Sequence, residues 1–166
     1  VMAAAKEHAA RVILASSIVV YADALNRDEC DEDHPHGNPL GVYSWSKQTQ
    51  EKEARAYAQA NDVDLVVIRP ANVIGPRCGP WVDAIVDQLK TGLPSLLGDG
   101  KQNAGLVCLD NLVALFILAG SSPEAPGRIY NGCDGLDVTW GQYFEQLAAM
   151  VGASKPKSIP RWISVA

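Results

Sequence analysis

Long apolar runs and an excess of basic charge are both absent from this 166-residue sequence. No apolar run approaches the roughly 18 residues that a membrane-spanning helix needs, so we expect no membrane partner. The 14 lysines and arginines are outnumbered by 19 aspartates and glutamates, which gives a formal net charge of −5. A nucleic-acid-binding domain needs a basic face, so nucleic acid is not expected as a partner either.

The cysteines and histidines lack the spacing of a metal site. The four cysteines form no Cys-x-x-Cys pair, and the three histidines do not accompany them. Zinc sites usually pair such ligands a few residues apart. We therefore expect no metal and interpret the cysteines as reduced thiols of a cytoplasmic protein. With 48% apolar and 20% charged residues, the chain can bury a core, and its length alone suggests one domain.

Two apolar segments flank a helix-forming segment. The first, residues 12–21, is rich in β-branched residues and predicts a buried strand that ends in a turn containing Ser17. The second, residues 64–76, predicts an apolar strand that ends in a loop with proline and glycine. A strand, a helix and a strand at this spacing favour an α/β fold with a parallel sheet. Such sheets bind ligands at the carboxyl ends of their strands, where Ser17, Tyr43 and Asn72 all fall.

Tyr43 and Lys47 stand four residues apart in the segment between these strands. On a helix the two side chains share one face. A free phenol has a pKa of about 10 and is a poor base at neutral pH, but a fixed neighbouring cation favours phenolate and lowers that pKa. The spacing therefore predicts a site that transfers protons.

The order of these segments resembles the extended short-chain dehydrogenase/reductases, also called NAD-dependent epimerase/dehydratases. The resemblance covers roughly residues 1–150. It implies a partial NAD(P)-binding Rossmann fold, with a parallel doubly wound sheet and a smaller C-terminal substrate-binding region. The residues that carry it are the Ser16-Ser17 turn with Tyr21, the Tyr43 and Lys47 pair, Arg69-Pro-Ala-Asn-Val-Ile-Gly-Pro76, Gly98-Asp-Gly100 and the segment 106–113.

The resemblance implies catalytic roles for three residues. Tyr43 is expected to act as the general acid/base on a substrate hydroxyl or carbonyl. Lys47 is expected to favour the phenolate form of Tyr43 and to hold the hydroxyls of the nicotinamide ribose. The hydroxyl of Ser17 is expected to donate a hydrogen bond to the reacting oxygen.

Cofactor and partners also follow from the resemblance. NAD or NADP is the implied cofactor, with Pro70 and Ala71 beside the nicotinamide together with Tyr43 and Lys47. Asn72, like Ser17, is expected to face a small-molecule substrate, for which a nucleotide sugar is one candidate. The full-length protein is expected to be a homodimer that packs partly through the Tyr43 helix.

A glycine-rich Gly-x-x-Gly-x-x-Gly turn, which holds the dinucleotide pyrophosphate in this family, does not occur in the sequence. We therefore interpret the chain as the C-terminal part of a longer protein, and we expect it to be inactive alone. Residues 1–76 are assigned to the dinucleotide-binding domain, with 106–134 returning to it. Residues 77–105 and 135–166 are assigned to the substrate-binding region.

The other segments predict ordinary structural elements. The tryptophans are interpreted as core or domain-interface residues, and His8 as exposed. The acidic loop 28–37 is interpreted as a solvated connection that in this fold could border the substrate. The remaining expectations are a helix at 81–89, a turn at 98–100, a helix buried on most sides at 112–119, a strand at 128–131 and a helix that begins with a capping box at Thr139 and Gln142 and ends at Gly152.

Three functions stay open. Ile18 and Val19 stand where the family's sugar 4,6-dehydratases carry acidic residues, so dehydration is not expected. Ala104 stands where many nucleotide-sugar enzymes place an arginine on the substrate pyrophosphate, which weakens the case for a nucleotide sugar. The order of motifs nevertheless favours an epimerase acting on a sugar or sugar nucleotide. The alternatives are a dehydrogenase or carbonyl reductase of the hydroxysteroid or flavonoid-reductase type, and a non-catalytic dinucleotide-sensing protein, which intact Tyr43, Lys47 and Ser17 disfavour.

Overall fold

A computed structural model describes residues 1–93 and 95–160. The chain divides into two compact units: one comprises Val1–Ala71 and Asn111–Gly132, the other Asn72–Asp110 and Cys133–Ala166. The helices are α1 (Met2–Glu7), α2 (Val42–Asn61), α3 (Ala84–Lys90), α4 (Leu109–Ser121) and α5 (Trp140–Met150). The strands are β1 (Val12–Ala15), β2 (Leu65–Pro70), β3 (Asn72–Ile74), β4 (Leu96–Leu97), β5 (Leu106–Cys108), β6 (Ile129–Gly132) and β7 (Ser158–Ile159).

The first unit contains a parallel three-stranded sheet in the order β1-β2-β6. This arrangement confirms the predicted α/β class. β2 lies in the middle, and its residues from Leu65 to Arg69 are buried. β1 is half-exposed, so the prediction of a buried strand there was wrong: among the described residues β1 pairs with β2 alone and forms an edge of the sheet.

The first strand is also shorter than predicted. It ends at Ala15, and residues Ile18–Asn26 form a 3-10 helix with a kink at Ala22. Ser17 starts this helix because its Oγ accepts a hydrogen bond from the backbone N–H of Val19 at 3.2 Å. The apolar residues after Ser17 are therefore helical, although their β-branched composition favoured a strand.

Helix α4 was predicted to be buried on most sides, and that prediction was wrong. Only Leu112 and Ala119 are buried, whereas Val113, Ile117 and Leu118 are exposed, Ile117 by 66%. A straight helix can press only one stripe against a sheet, and the described residues place no element over the other side. The buried stripe sits close to β6, since a Cβ added at Gly132 would lie 2.9 Å from Leu112 Cδ1.

The second unit holds two short parallel pairs, β3 with β5 and β4 with β7. Pairing with β5 places β3 in this unit, so the observed boundary falls at 71/72 rather than after 76, and 106–110 also belongs to the second unit. The core lies between α3 and α5, and the predicted capping box at Thr139 and Gln142 is confirmed. The buried core residues are Ile85, Leu89, Leu96, Ala104, Leu106, Tyr143, Phe144, Leu147 and Ala148.

The four tryptophans have different environments. Trp81 and Trp140 are partly buried against the core of the second unit, with ring centroids 5.6 Å apart, as predicted for core residues. Trp45 is exposed on α2 and is therefore not a core residue of this chain; an interface role for it stays a prediction. Trp162 lies outside the described residues.

Candidate active site

Three predicted site residues lie where β1 and β2 end side by side. The backbone N–H of Ser16 donates to the Ile68 carbonyl at 2.8 Å, which holds the two strand ends in register. Ser17 lies two residues after the end of the first strand, Pro70 ends the second strand, and Ala71 follows it. Side chains at this carboxyl edge are placed as ligand-binding residues are in open parallel sheets.

Tyr43 lies in the first turn of α2 and is 59% exposed. No hydrogen bond from its phenol was found among the described residues. The helix starts after Gly41, whose φ of +113° is accessible to glycine and strained for other residues. The phenol oxygen is therefore open to a ligand.

Lys47 joins α2 to the end of β1. Its Nζ donates to the Ala15 carbonyl at 2.9 Å and to Gln50 Oε1 at 3.2 Å. Ala15 is two residues before Ser17, so the ammonium is held near the strand end that carries the serine. Lys47 also follows Tyr43 by one helical turn, as predicted.

The hydroxyl of Ser17 keeps its own proton available. Its Oγ accepts from the N–H of Val19, and we found no acceptor for the Ser17 proton in the described part of the chain. Asn72, by contrast, lies in the second unit and donates through Nδ2 to the Ala104 carbonyl at 2.7 Å. The substrate-facing role expected of Asn72 stays a prediction.

A buried ion pair was not predicted from the sequence. Glu51 is 0% exposed and Arg69 is 1% exposed. The guanidinium forks onto the carboxylate, with Nη2 at 2.6 Å from Oε1 and Nε at 3.2 Å from Oε2. Ser16 donates to the same carboxylate at 2.8 Å. The helix, the end of β1 and the middle strand are thus joined through one side chain.

Arg69 extends this network toward the 3-10 helix and β6. Its Nη1 donates to the Tyr21 phenol oxygen at 2.7 Å, and that oxygen lies 2.8 Å from Asn131 Oδ1. The Tyr21 hydroxyl also reaches the Asp31 carbonyl at 2.7 Å. Each buried polar atom of the pair therefore has partners, as buried charges require.

Residues 30–36 of the acidic loop contact this network rather than forming only a solvated connection. The Glu32 carboxylate accepts from the backbone N–H of Asn131 at 2.7 Å. The carbonyls of Cys30 and Glu32 accept from Asn131 Nδ2 at 3.0 Å and from Arg69 Nη1 at 3.2 Å. The interpretation as a solvated connection was wrong here, because a buried arginine and a free strand edge both need acceptors.

Charge states within the network follow from two opposed effects. Burial by itself raises the pKa of the Glu51 carboxyl, but hydrogen bonds from Arg69 and Ser16 outweigh it, and the pKa lies below its ordinary value. For Arg69, burial lowers the pKa and Glu51 raises it, with a net increase. Burial raises the pKa of Tyr21, which stays protonated and can donate. Glu51 and Arg69 are therefore both charged at neutral pH.

Two features of the sequence could have indicated this pair. Arg69 is an arginine inside an otherwise apolar strand, and a buried charge needs a partner. Glu51 follows Lys47 by four residues and therefore lies on the face of α2 that turns toward the strands.

The described residues contain neither a metal centre nor a membrane-spanning helix. No group of three or more histidine, cysteine or acidic side chains there is arranged to hold a metal ion. No helix in the described ranges has both the length and the apolar character that a membrane crossing requires.

Comparisons with known proteins show the family of this chain. The model of the NAD dependent epimerase/dehydratase family matches residues 1–133. UDP-glucose 4-epimerase of Vibrio cholerae is 30% identical over 128 residues, which is 75% of this chain and 38% of that protein. Cinnamoyl-CoA reductase 2 of Arabidopsis thaliana is 34% identical over 138 residues, 76% of this chain and 41% of that protein.

A solved structure shows the same fold. UDP-glucuronic acid 4-epimerase from Bacillus cereus in complex with NAD superposes with a TM-score of 0.80 at 19% identity, over 96% of this chain and 53% of that chain. The chain spans about two fifths of the length of the curated relatives named above. On the match of the family model to most of its length, the chain belongs to the NAD-dependent epimerase/dehydratase family.

Proposed function

We propose that this chain supplies the catalytic residues of an NAD-dependent epimerase that acts on a sugar or sugar nucleotide. The observation that carries the proposal is one hydrogen bond: Lys47 Nζ donates to the carbonyl of Ala15, which lies two residues before Ser17. Lys47 belongs to the helix that also presents the exposed Tyr43. The UDP-glucose 4-epimerases among the relatives support the substrate class.

The residues present fit one end of a dinucleotide. Tyr43 and Lys47 offer an open phenol and an ammonium at the carboxyl edge of the sheet, and Pro70 and Ala71 lie at the end of the neighbouring strand. These four residues would hold the nicotinamide and its ribose. No glycine-rich pyrophosphate turn occurs in residues 1–166, so we propose that this chain alone binds dinucleotide weakly and does not turn over.

Proton transfer is the work of the chain's own side chains. When bound, NAD supplies the hydride acceptor and donor. Tyr43 takes the proton from a substrate hydroxyl and returns it to the same oxygen later in the turnover. Ser17 donates its free proton in a hydrogen bond to that oxygen and fixes its position. Lys47, one helical turn from Tyr43, would hold the ribose hydroxyls of the bound dinucleotide.

A net reductase is the second candidate, and one residue favours it. Ala104 is buried in the core of the second unit, and its carbonyl accepts from Asn72. An alanine cannot make the charge-assisted contact with a substrate pyrophosphate that an arginine would make there. The cinnamoyl-CoA reductases among the relatives represent this alternative.

Stoichiometry separates the two candidates. The full-length protein, called the source protein below, is incubated with NAD and a UDP-hexose, and separately with NADH or NADPH and an aromatic aldehyde or ketone. The epimerase proposal expects sugar interconversion without net formation of reduced dinucleotide. Net oxidation of NADH or NADPH by the carbonyl compound, with no sugar interconversion, would overturn it in favour of the reductase.

Two further expectations from the sequence stay predictions. We propose a homodimer packed partly through α2, and the exposure of Val42 and Trp45 on that helix supports it. A cytoplasmic location also stays a prediction.

A further inference from the structure

We propose that Ser16 and Glu51 form a positioning device that fixes helix α2, and with it Tyr43, against the end of β1. Neither residue is assigned a contact with substrate or dinucleotide. The inference rests on the proposed function in one respect, because it concerns the same phenol and the same serine hydroxyl.

The helix face carries the first part of the argument. Tyr43, Lys47 and Glu51 stand at intervals of four residues, so they line one face of α2 across two turns. Their exposure falls along that line, from an exposed phenol through a half-buried ammonium to a carboxylate with 0% exposure. The helix is therefore fixed at Glu51 and open at Tyr43.

Two contacts tie this face to consecutive residues of the chain. Lys47 Nζ bonds the Ala15 carbonyl at 2.9 Å, and Glu51 Oε2 accepts from Ser16 Oγ at 2.8 Å. A slide of the helix by one residue, about 1.5 Å along its axis, would break both bonds. Together the two contacts set the height of Tyr43 relative to the strand end.

The hydroxyl groups of the adjacent residues Ser16 and Ser17 have different partners. Ser16 is buried and donates inward to Glu51, whereas Ser17 is half-buried and keeps its proton available. Because the two serines are adjacent, the inward bond of Ser16 fixes the backbone from which Ser17 projects. The same carboxylate thus positions both the phenol and the serine hydroxyl.

Arg69 makes the carboxylate a rigid anchor. Its guanidinium forks onto Glu51 at 2.6 Å and 3.2 Å, and it belongs to β2, the middle strand of the sheet. A forked pair resists rotation better than a single contact. Movement of Glu51 would require movement of the sheet interior, which is close-packed.

The test variant is Ser16→Ala in the source protein. Substitution of Glu51 would leave Arg69 buried and unpaired and is expected to unfold the unit, whereas Ser16→Ala removes one hydroxyl and leaves the ion pair intact. The control is Ser121→Ala, which removes a hydroxyl that bonds only the Ile117 and Leu118 carbonyls on α4 of the same unit.

Two readouts are measured for each variant. The first is hydrogen exchange of the backbone amides of residues 42–47, relative to those of β2. The second is kcat per dinucleotide-binding site, together with KM for dinucleotide. We expect Ser16→Ala to speed exchange at 42–47 and to lower kcat by about tenfold to a hundredfold, since misplacement by about 1 Å has effects of that size, while KM changes less than threefold. Ser121→Ala should alter neither readout.

Each outcome has a separate meaning. Unchanged exchange at 42–47 in Ser16→Ala would overturn the positioning device, whatever the activity. Faster exchange with unchanged kcat would overturn its connection to Tyr43. Faster exchange in a protein whose wild type turns over neither a UDP-hexose nor a carbonyl compound would support the device and sink the proposed function instead.

Discussion

Replacement of Arg69 by methionine should destabilise the first unit in a way that depends on pH. The methionine keeps most of the aliphatic volume but removes the guanidinium. The Glu51 carboxylate then stays fully buried, with Ser16, His36 and the more distant Arg55, whose Nη1 lies 3.9 Å from Oε1, as its partners. Removal of one member of a buried ion pair typically costs about 3–5 kcal/mol. We expect a loss of that size in the free energy of unfolding at pH 7.

The pH dependence has opposite signs in the two proteins. In the wild type the pKa of Glu51 is lowered, so its stabilisation is present above the ordinary value of 4.5 and is lost as pH falls through the lowered pKa. In Arg69→Met, burial is no longer opposed by the arginine and should raise that pKa. The variant then gains a proton on folding, and its deficit shrinks as pH falls through the raised value, by about 1.4 kcal/mol for each pH unit.

Urea unfolding followed by far-UV circular dichroism measures the deficit at pH 7 and pH 5. The matched control is Arg128→Met, an exposed arginine in the same unit, whose loss should change stability by less than about 0.5 kcal/mol. The His36 ring lies 3.3 Å from Glu51 Oε1 and is a second partner of the carboxylate, so the measurement is repeated in the background of His36→Asn. A deficit that is equal at both pH values, or below about 1 kcal/mol, would refute the account of the buried pair.

Two further predictions concern the site and the second unit. Tyr43→Phe in the source protein should keep dinucleotide binding and lose about 10²–10⁴-fold in turnover, whereas Lys47→Ala should weaken both dinucleotide binding and turnover. Steady-state kinetics with a dinucleotide titration distinguishes the two variants. Near-normal turnover in Tyr43→Phe would exclude the proposed proton transfer. Thr139→Ala removes the capping box of α5 and should lower stability by about 1 kcal/mol. A thermal midpoint for Thr139→Ala equal to that of the parent protein would contradict the role of the cap.

Features set by local chemistry were predictable from the sequence. The capping box at Thr139 and the turn after β1 depend on neighbouring residues, and the parallel strands depend on composition and spacing. The Tyr43 and Lys47 pair needed only the helical repeat. These parts of the fold and candidate site can be predicted because each depends on residues that are close together in the sequence.

Features set by long-range contacts were not predicted. Glu51 and Arg69 are 18 residues apart. The residues around each of them do not indicate that the two side chains form an ion pair. The burial of β1 and α4 was overestimated for a related reason. Apolar composition reports what a segment can bury, while the neighbours present on each side decide what is covered.

The way in which the acidic loop is attached affects how freely its sequence can change. Three of its contacts to the buried network use main-chain carbonyls, those of Cys30, Asp31 and Glu32. A carbonyl is present whatever side chain the residue bears, so residue identity matters where a side chain makes the contact. The Glu32 carboxylate accepts from the N–H of Asn131, the His36 ring lies 3.3 Å from Glu51 Oε1, and the His34 ring packs against Tyr21. Outward-facing side chains of this loop can therefore be exchanged during evolution or engineering, and new surface chemistry can arise there, without loosening the core beneath it.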